Sequence, residues 1–282
     1  MVLPVFLILL IISLVPLAYM LGISLTNSTI TKPFQGFVWF ENYRKAFTDE
    51  VFGASLVNTL LFASVVTSVQ TVLGFILAYV LHKEQSFSKP FRTIALLPLF
   101  TPPVAVAMIW RLILDPNSGM INYYMKTLGI FRDLVAFLGD PNLAMPSIML
   151  ADTWQWTPFC FLLCFAALQS LPHEPYEAAA VDGTTAVQVF WRLTLPMVAP
   201  NLIVIFLFRF LIALKVFDLV YILTFGGPGS ATQVASFYVY RVGFKMFQTG
   251  YAASLSILML LLISLLATLL TTGRNLIMKG QE

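Results

Sequence analysis

The chain is expected to be an all-α, polytopic membrane protein with six transmembrane helices. Three observations predict this. Of its 282 residues, 59% are hydrophobic and 10% are charged, against about 45–50% and about 25% in a soluble domain, and the mean hydropathy is +0.87. Six runs in the sequence are long enough to cross a bilayer, which takes about 20 mostly apolar residues. Polar or turn-forming stretches separate those runs. With 16 Lys+Arg and 13 Asp+Glu, the chain cannot cover a soluble surface with charge, so a soluble enzyme is excluded. A net charge of +3 without a basic run excludes nucleic-acid binding. The apolar surface has to face lipid.

The spans are expected at 3–25, 55–81, 93–114, 145–168, 198–225 and 250–272, within a single transmembrane domain over 1–282. The first run is longer than a signal-peptide core and no A-x-A site follows, so it is expected to be retained. The third contains Pro98, Pro102 and Pro103 and is expected to kink there; broken helices often border substrate cavities. Asp115-Pro116 and Asp140-Pro141 mark turns between the third and fourth spans, and Gly226-Gly227-Pro228-Gly229 breaks the chain after the fifth. Six spans put both termini on one side. Basic residues do not decide which side, because one set of connections carries six of them and the other, counted with Arg111 at the end of the third span, eight. Cys160 and Cys164 lie four apart in an apolar run and read as small packing residues of one helix face, neither a disulfide nor a zinc site. His82 and His173 are expected in loops.

The connection 169–197 carries the most information. Leu171-Pro172 ends the fourth span; Glu174 to Val181 is Ala-rich, with acids in its first turn where the helix dipole favours them. Gly183 is placed to end that helix as a C′ glycine, Ala186 to Leu195 suits a second short helix, and Pro196 precedes the fifth span. The result is a helix-turn-helix across the membrane face, whose small residues Ala178 and Ala179 let another backbone approach.

Glu177-Ala178-Ala179, then three residues, Gly183, nine residues, Leu193, one residue, and Leu195-Pro196 resembles the signature loop of ABC-importer membrane subunits. Leu193 stands where that family usually has isoleucine. The resemblance extends further. Phe37 to Arg44 is similar to the family's segment after the first span, Leu96-Leu97-Pro98 and Pro102-Pro103-Val104 to its third span, and Leu168 to Pro172 to the lead-in of the signature. Val216 to Thr224 with Gly226-Gly227-Pro228, and Gly250 to Ala253, resemble the first of two permease types in carbohydrate importers of the maltose, multiple-sugar and sugar-phosphate group.

The resemblance implies the type I importer permease fold and a subunit that is not an enzyme. It implies no cofactor in this chain, with ATP and Mg bound by two cytoplasmic ATPase partners. The other implied partners are a second, distinct permease, an external solute-binding protein and a sugar, oligosaccharide or polyol. Glu177 would meet a basic group of the ATPase, Ala178 and Ala179 would pack closely, Gly183 would make the turn, and Leu193, Leu195 and Pro196 would seat the second helix. The loop is then cytoplasmic, as are both termini, in a bacterial or archaeal inner membrane. An ion-coupled secondary transporter is the alternative, but no inverted repeat is evident. An intramembrane enzyme would need a motif such as H-E-x-x-H or G-x-S-x-G, which the chain lacks.

Ionisable residues inside a membrane default to functional hypotheses. In a continuous fifth helix, Lys215 and Asp218 would lie about 60° apart and one turn away from each other, with Tyr221 about 60° further round. This stripe reads either as a translocation path or as a structural ion pair. Arg209 would face the opposite way, toward another helix or subunit. On the fourth span, Asp152 and Gln155 share a face and are further path candidates, while Trp154 and Trp156 read as interfacial anchors.

Overall fold

A computed structural model describes residues 2–83, 88–130 and 133–279. Residues 84–87 of the second connection and Arg132 lie outside them. Among the described residues the regular structure is helical, with one isolated antiparallel bridge between Thr26 and Phe37. In chain order the helices are α1 (Val2–Ser24), α2 (Glu41–Thr48), α3 (Glu50–Lys83), α4 (Ser88–Phe100), α5 (Pro103–Ile113), α6 (Met120–Thr127) and α7 (Pro141–Gln169). They continue with α8 (Glu174–Val181), α9 (Ala186–Val189), α10 (Leu195–Ala213), α11 (Asp218–Leu223), α12 (Ala235–Tyr240) and α13 (Thr249–Lys279). Wide-turned π segments follow α9 (Phe190–Thr194) and α12 (Arg241–Lys245).

Among the described residues, Glu50–His82, Ala186–Ala213 and Thr249–Thr272 are long and apolar enough to cross a membrane. The bent pair 93–100 and 103–113 would make a fourth span. α1 offers the shorter apolar helix Ile8–Ser24. α7 runs for 29 residues, about 44 Å at 1.5 Å per residue, but is diluted by Asp152, Gln155 and two internal prolines. Helices overlie the expected runs, the fifth only in part, and a count of six would require α1 and α7 to cross as well.

Sequence explains several of the boundaries. Pro102 and Pro103 cannot continue a helix, and the chain turns by 100° between α4 and α5. Asp140 caps α7 by accepting from Asn142 N at 2.7 Å, with Pro141 next, where a missing N–H costs nothing. Asp49 caps α3, its Oδ1 accepting from Val51 N and Phe52 N at 3.0 Å each. Its Oδ2 accepts from the Tyr238 and Tyr251 hydroxyls at 2.6 Å each, tying α3 to α12 and α13. Partial burial pushes the Asp49 carboxyl pKa up, but the two phenols and the two backbone N–H groups outweigh it and hold the pKa below 3.8.

α3 and α7 form the central pair. Gly74 of α3 lies directly on α7, where a Cβ would come within 2.7 Å of Cys160 Cβ and Phe161 N. Cys160 and Cys164 are both buried and unbridged in this seam, beside Phe75, Ala78, Phe161 and Phe165. A second core joins α3, α5, α7, α10, α11 and α12 through Phe62, Val106, Ile148, Phe210, Val220 and Phe237.

Three expectations are corrected. His82 lies in the last turn of α3, not in a loop, with its ring edge-on to Phe165 at 6.2 Å. The fifth run is not one helix: α10 stops at Ala213 and α11 begins at Asp218. No proline or glycine marks this break. The N–H groups of Lys215 and Val216 fold back onto Ile212 and Ala213 carbonyls, and the Val216 carbonyl accepts from the Ser236 hydroxyl instead of from the helix. The second helix of the 169–197 connection does form, but not as a separate element. It runs from Ala186 through the π segment into α10 as one continuous helix to Ala213, with the wider turn at Phe190–Thr194 just before Pro196.

Candidate functional site

Two regions bring the candidate side chains together. The first is the α8–α9 loop. Gly183 sits at φ +66°, a conformation open to glycine at little cost. The turn it makes pairs Thr184 N with Ala179 O at 3.1 Å and Gly183 N with Ala180 O at 3.2 Å, which satisfies the last carbonyls of α8. α9 starts in a reciprocal cap, Thr185 Oγ1 accepting from Gln188 N and Gln188 Oε1 from Thr185 N. Tyr176 ties α8 to the π segment through Thr194 Oγ1 at 3.2 Å.

The loop presents Glu177, Ala178 and Gly183 to the outside and leaves Ala179 half-buried. Leu193 and Leu195 are half-buried and Pro196 exposed at the root of α10. Large apolar side chains project alongside them: Val181 is 89% exposed and Trp191 63%. Behind the loop, a cavity of about 530 Å³ is lined by Tyr79, His82, His173, Tyr176, Thr184 and Thr194, among others.

The second region is a cavity of about 200 Å³ where the α4–α5 and α10–α11 breaks face α7. Its walls include Asp152, Gln155, Lys215 and Asp218, four of the five candidate path residues, together with Pro103, Trp156, Arg209 and Phe217. Tyr221 is not among them. It belongs to an aromatic cluster with Phe217, Phe225 and Tyr240, at centroid distances of 5.3–5.5 Å. Lys215 and Asp218 are exposed to the cavity. The interrupted helix removes the one-turn spacing that would pair them, and among the described residues they form no ion pair.

The ion pair that does form joins Arg209 of α10 to Asp152 of α7. Arg209 Nη2 donates to Asp152 Oδ2, and its Nε donates to Gln70 Oε1 of α3 at 2.6 Å. Gln70 Nε2 in turn donates to Asp152 Oδ2 at 2.8 Å and to the Asp152 carbonyl at 3.0 Å. Arg209, Gln70 and Asp152 are 1%, 0% and 3% exposed. The Trp156 ring lies over the guanidinium at 4.8 Å, so this tryptophan covers a buried cation. One turn from Asp152, Gln155 Nε2 donates to the Thr101 carbonyl at 3.2 Å, in the α4–α5 break. Gln70 is absent from the candidates read from the sequence because its partners lie on other helices. A lone amide in the middle of the 55–81 run was the available signal.

A helical membrane body with an exposed helix-turn-helix and a polar cavity between broken helices defines a transporter subunit. The sequence profile of the family described as binding-protein-dependent transport system inner membrane component matches residues 70–273. A trehalose/maltose transport system permease protein of Thermococcus litoralis is 34% identical over 275 residues, covering 97% of this chain and 92% of the relative. An sn-glycerol-3-phosphate transport system permease protein of Yersinia enterocolitica is 32% identical over 231 residues, covering 80% and 76%. In a crystal structure of a bacterial alginate ABC transporter complexed with an alginate pentasaccharide-bound periplasmic protein, one chain superposes with a TM-score of 0.83. It is 26% identical, covering 96% of this chain and 91% of that one.

The chain belongs to the binding-protein-dependent transport system inner membrane component family. It is accordingly a membrane permease of the ABC class and not an enzyme, the ATPase being a separate subunit in such systems. An ion-coupled carrier is set aside on the same ground.

Proposed function

We propose that the chain is one of two distinct permease subunits of an ATP-driven importer for a sugar, oligosaccharide or polyol. An external solute-binding protein delivers the substrate, and two cytoplasmic ATPases, which bind ATP and Mg, drive the cycle. The relatives named for trehalose/maltose and sn-glycerol-3-phosphate transport support the substrate class, and the alginate transporter bound to its periplasmic protein supports the external partner.

The observation that carries the coupling is the exposed α8–α9 loop. Val181, 89% exposed at the end of α8 and outside the candidate spans, suits coverage by another protein. Glu177 then meets a basic ATPase group, Ala178 and Ala179 permit close approach, and Gly183, Leu193, Leu195 and Pro196 hold the loop on α10. Closure of the ATPases moves this packed element as a rigid body. This assignment makes the loop and both termini cytoplasmic, with six spans.

The polar cavity suits hydroxyl-rich ligands, which need acids, amides and aromatic faces together. Asp152, Gln155, Lys215 and Asp218 are its path residues, with Tyr221 behind them. The test is co-expression with the companion permease, ATPase and binding protein, reconstitution into liposomes, and measurement of uptake across a panel of sugars and polyols. ATP-dependent uptake of at least one is expected, and Glu177→Lys should abolish it while the subunit still inserts. A complete assembly that moves none, or normal uptake with Glu177→Lys, refutes the reading.

A further inference from the structure

We infer that Gln70 and Arg209 are positioning residues for transport: acting through Asp152, they set the shape of the substrate cavity. This rests on the reading of that cavity as the substrate path. Gln70 does not line the cavity, yet it both accepts from Arg209 and donates to Asp152, so it fixes the relative placement of α3, α7 and α10 at one point.

The cavity is made by two interruptions, and both hang on a single turn of α7. Asp152 holds Arg209, four residues before α10 ends at Ala213, and Gln155 holds the Thr101 carbonyl between α4 and α5. The half-helices beyond the breaks are joined as well, Arg111 Nη1 donating to the Ile222 carbonyl at 3.3 Å. Rotation of α7 would therefore displace both walls together.

A buried ion pair is a poor way to gain stability, since well-packed apolar residues usually serve as well, whereas three interlocked polar groups fix one geometry. Short bonds at fixed angles among three helices are what a site requires when small misplacements are costly. Trp156, over the guanidinium and on the cavity wall, is held in place by the same network.

The test uses the complete reconstituted transporter and two variants, Gln70→Leu and the paired Asp152→Leu/Arg209→Met, the second removing both charges so that neither is stranded. The quantities measured are sugar moved per ATP hydrolysed and the rate at which a cysteine placed at Phe217, on the cavity wall, reacts with a thiol reagent. Both variants are expected to assemble while sugar moved per ATP falls about tenfold or more, and labelling at position 217 should change in rate. A purely structural role would lower uptake and ATP hydrolysis in parallel with the amount of assembled complex. That parallel loss overturns the inference, as does an unchanged ratio with unchanged labelling. If the wild-type assembly moves no sugar or polyol, the proposed function fails alone and the labelling rate decides this inference.

Discussion

The seam between α3 and α7 gives a quantitative test of the packing. Gly74→Ala places a methyl carbon 2.7 Å from Cys160 Cβ and Phe161 N and 2.8 Å from the Cys160 carbonyl carbon. Optimal carbon contacts lie near 3.5–4.0 Å, so the two helices must part locally by about 0.8 Å. Two of the three atoms met are backbone, and no flexible side-chain end can yield. A gap of that size forfeits a quarter to a half of each neighbouring contact's dispersion energy, and overpacking of this kind costs about 1–3 kcal/mol. Alanine also removes glycine's helix penalty of about 1 kcal/mol, which masks part of the effect.

Gly53 supplies the control, since it lies on the same helix and a Cβ there meets nothing within 4 Å. Subtracting Gly53→Ala from Gly74→Ala cancels the propensity contribution and leaves the packing cost. We expect Gly53→Ala to raise the melting temperature in detergent and Gly74→Ala to fall below it by the equivalent of about 1–3 kcal/mol, each kcal/mol shifting Tm by about 2–4 °C in a chain this size. Equal melting temperatures for the two variants would refute the close approach of α3 to α7.

Other expectations follow from the remaining contacts. Asp49→Asn should lower the melting temperature by weakening the tie of α3 to Tyr238 and Tyr251. Because the folded carboxyl titrates below its unfolded value of 3.8, its contribution is complete above that pH and is lost as pH falls through the folded pKa. The gap in melting temperature between wild type and Asp49→Asn should therefore hold steady from about pH 7 to pH 5 and narrow below about pH 4; a gap that widens in acid would contradict the assignment. Thr185→Ala removes the reciprocal cap of α9 at a cost of about 1 kcal/mol. It should weaken ATPase association measured by co-purification, and unchanged association would show that the cap does not shape the docking surface. Asp218→Ala should alter substrate affinity or substrate-stimulated ATP hydrolysis in liposomes; wild-type values for both would remove it from the path. Cys160 and Cys164 should resist a membrane-permeant maleimide until the protein is denatured, and labelling in the native state would contradict their burial.

Local chemistry made some elements legible in the sequence. The turn at Gly183 needed only a glycine at the end of an Ala-rich run, and the α4–α5 break needed only Pro102 and Pro103. Features that depend on distant partners were not legible. Arg209 meets Asp152 across 57 positions and Gln70 across 139, and no periodicity within one helix reports such a meeting. Lys215, Asp218 and Tyr221 share a stripe only on a helix that continues through 198–225. The chain interrupts that helix without proline or glycine, and the Ser236 hydroxyl that meets the freed Val216 carbonyl comes from α12. The cavity was thus foreseeable in its residue types and in four of its members, while the partner of the buried arginine emerged only from the packing of three helices.

The unbroken helix from Ala186 to Ala213 spans 28 residues, about 42 Å at the usual rise. One end belongs to the exposed loop and the other lies just past Arg209, so the helix physically links the two regions. A tilt of about 10° about one end would carry the other through about 7 Å, more than the 5.4 Å pitch of a helical turn. Within this helix, the wider turn at Phe190–Thr194 is the natural place for slack, and its stiffness would set how much of a displacement at one end reaches the other.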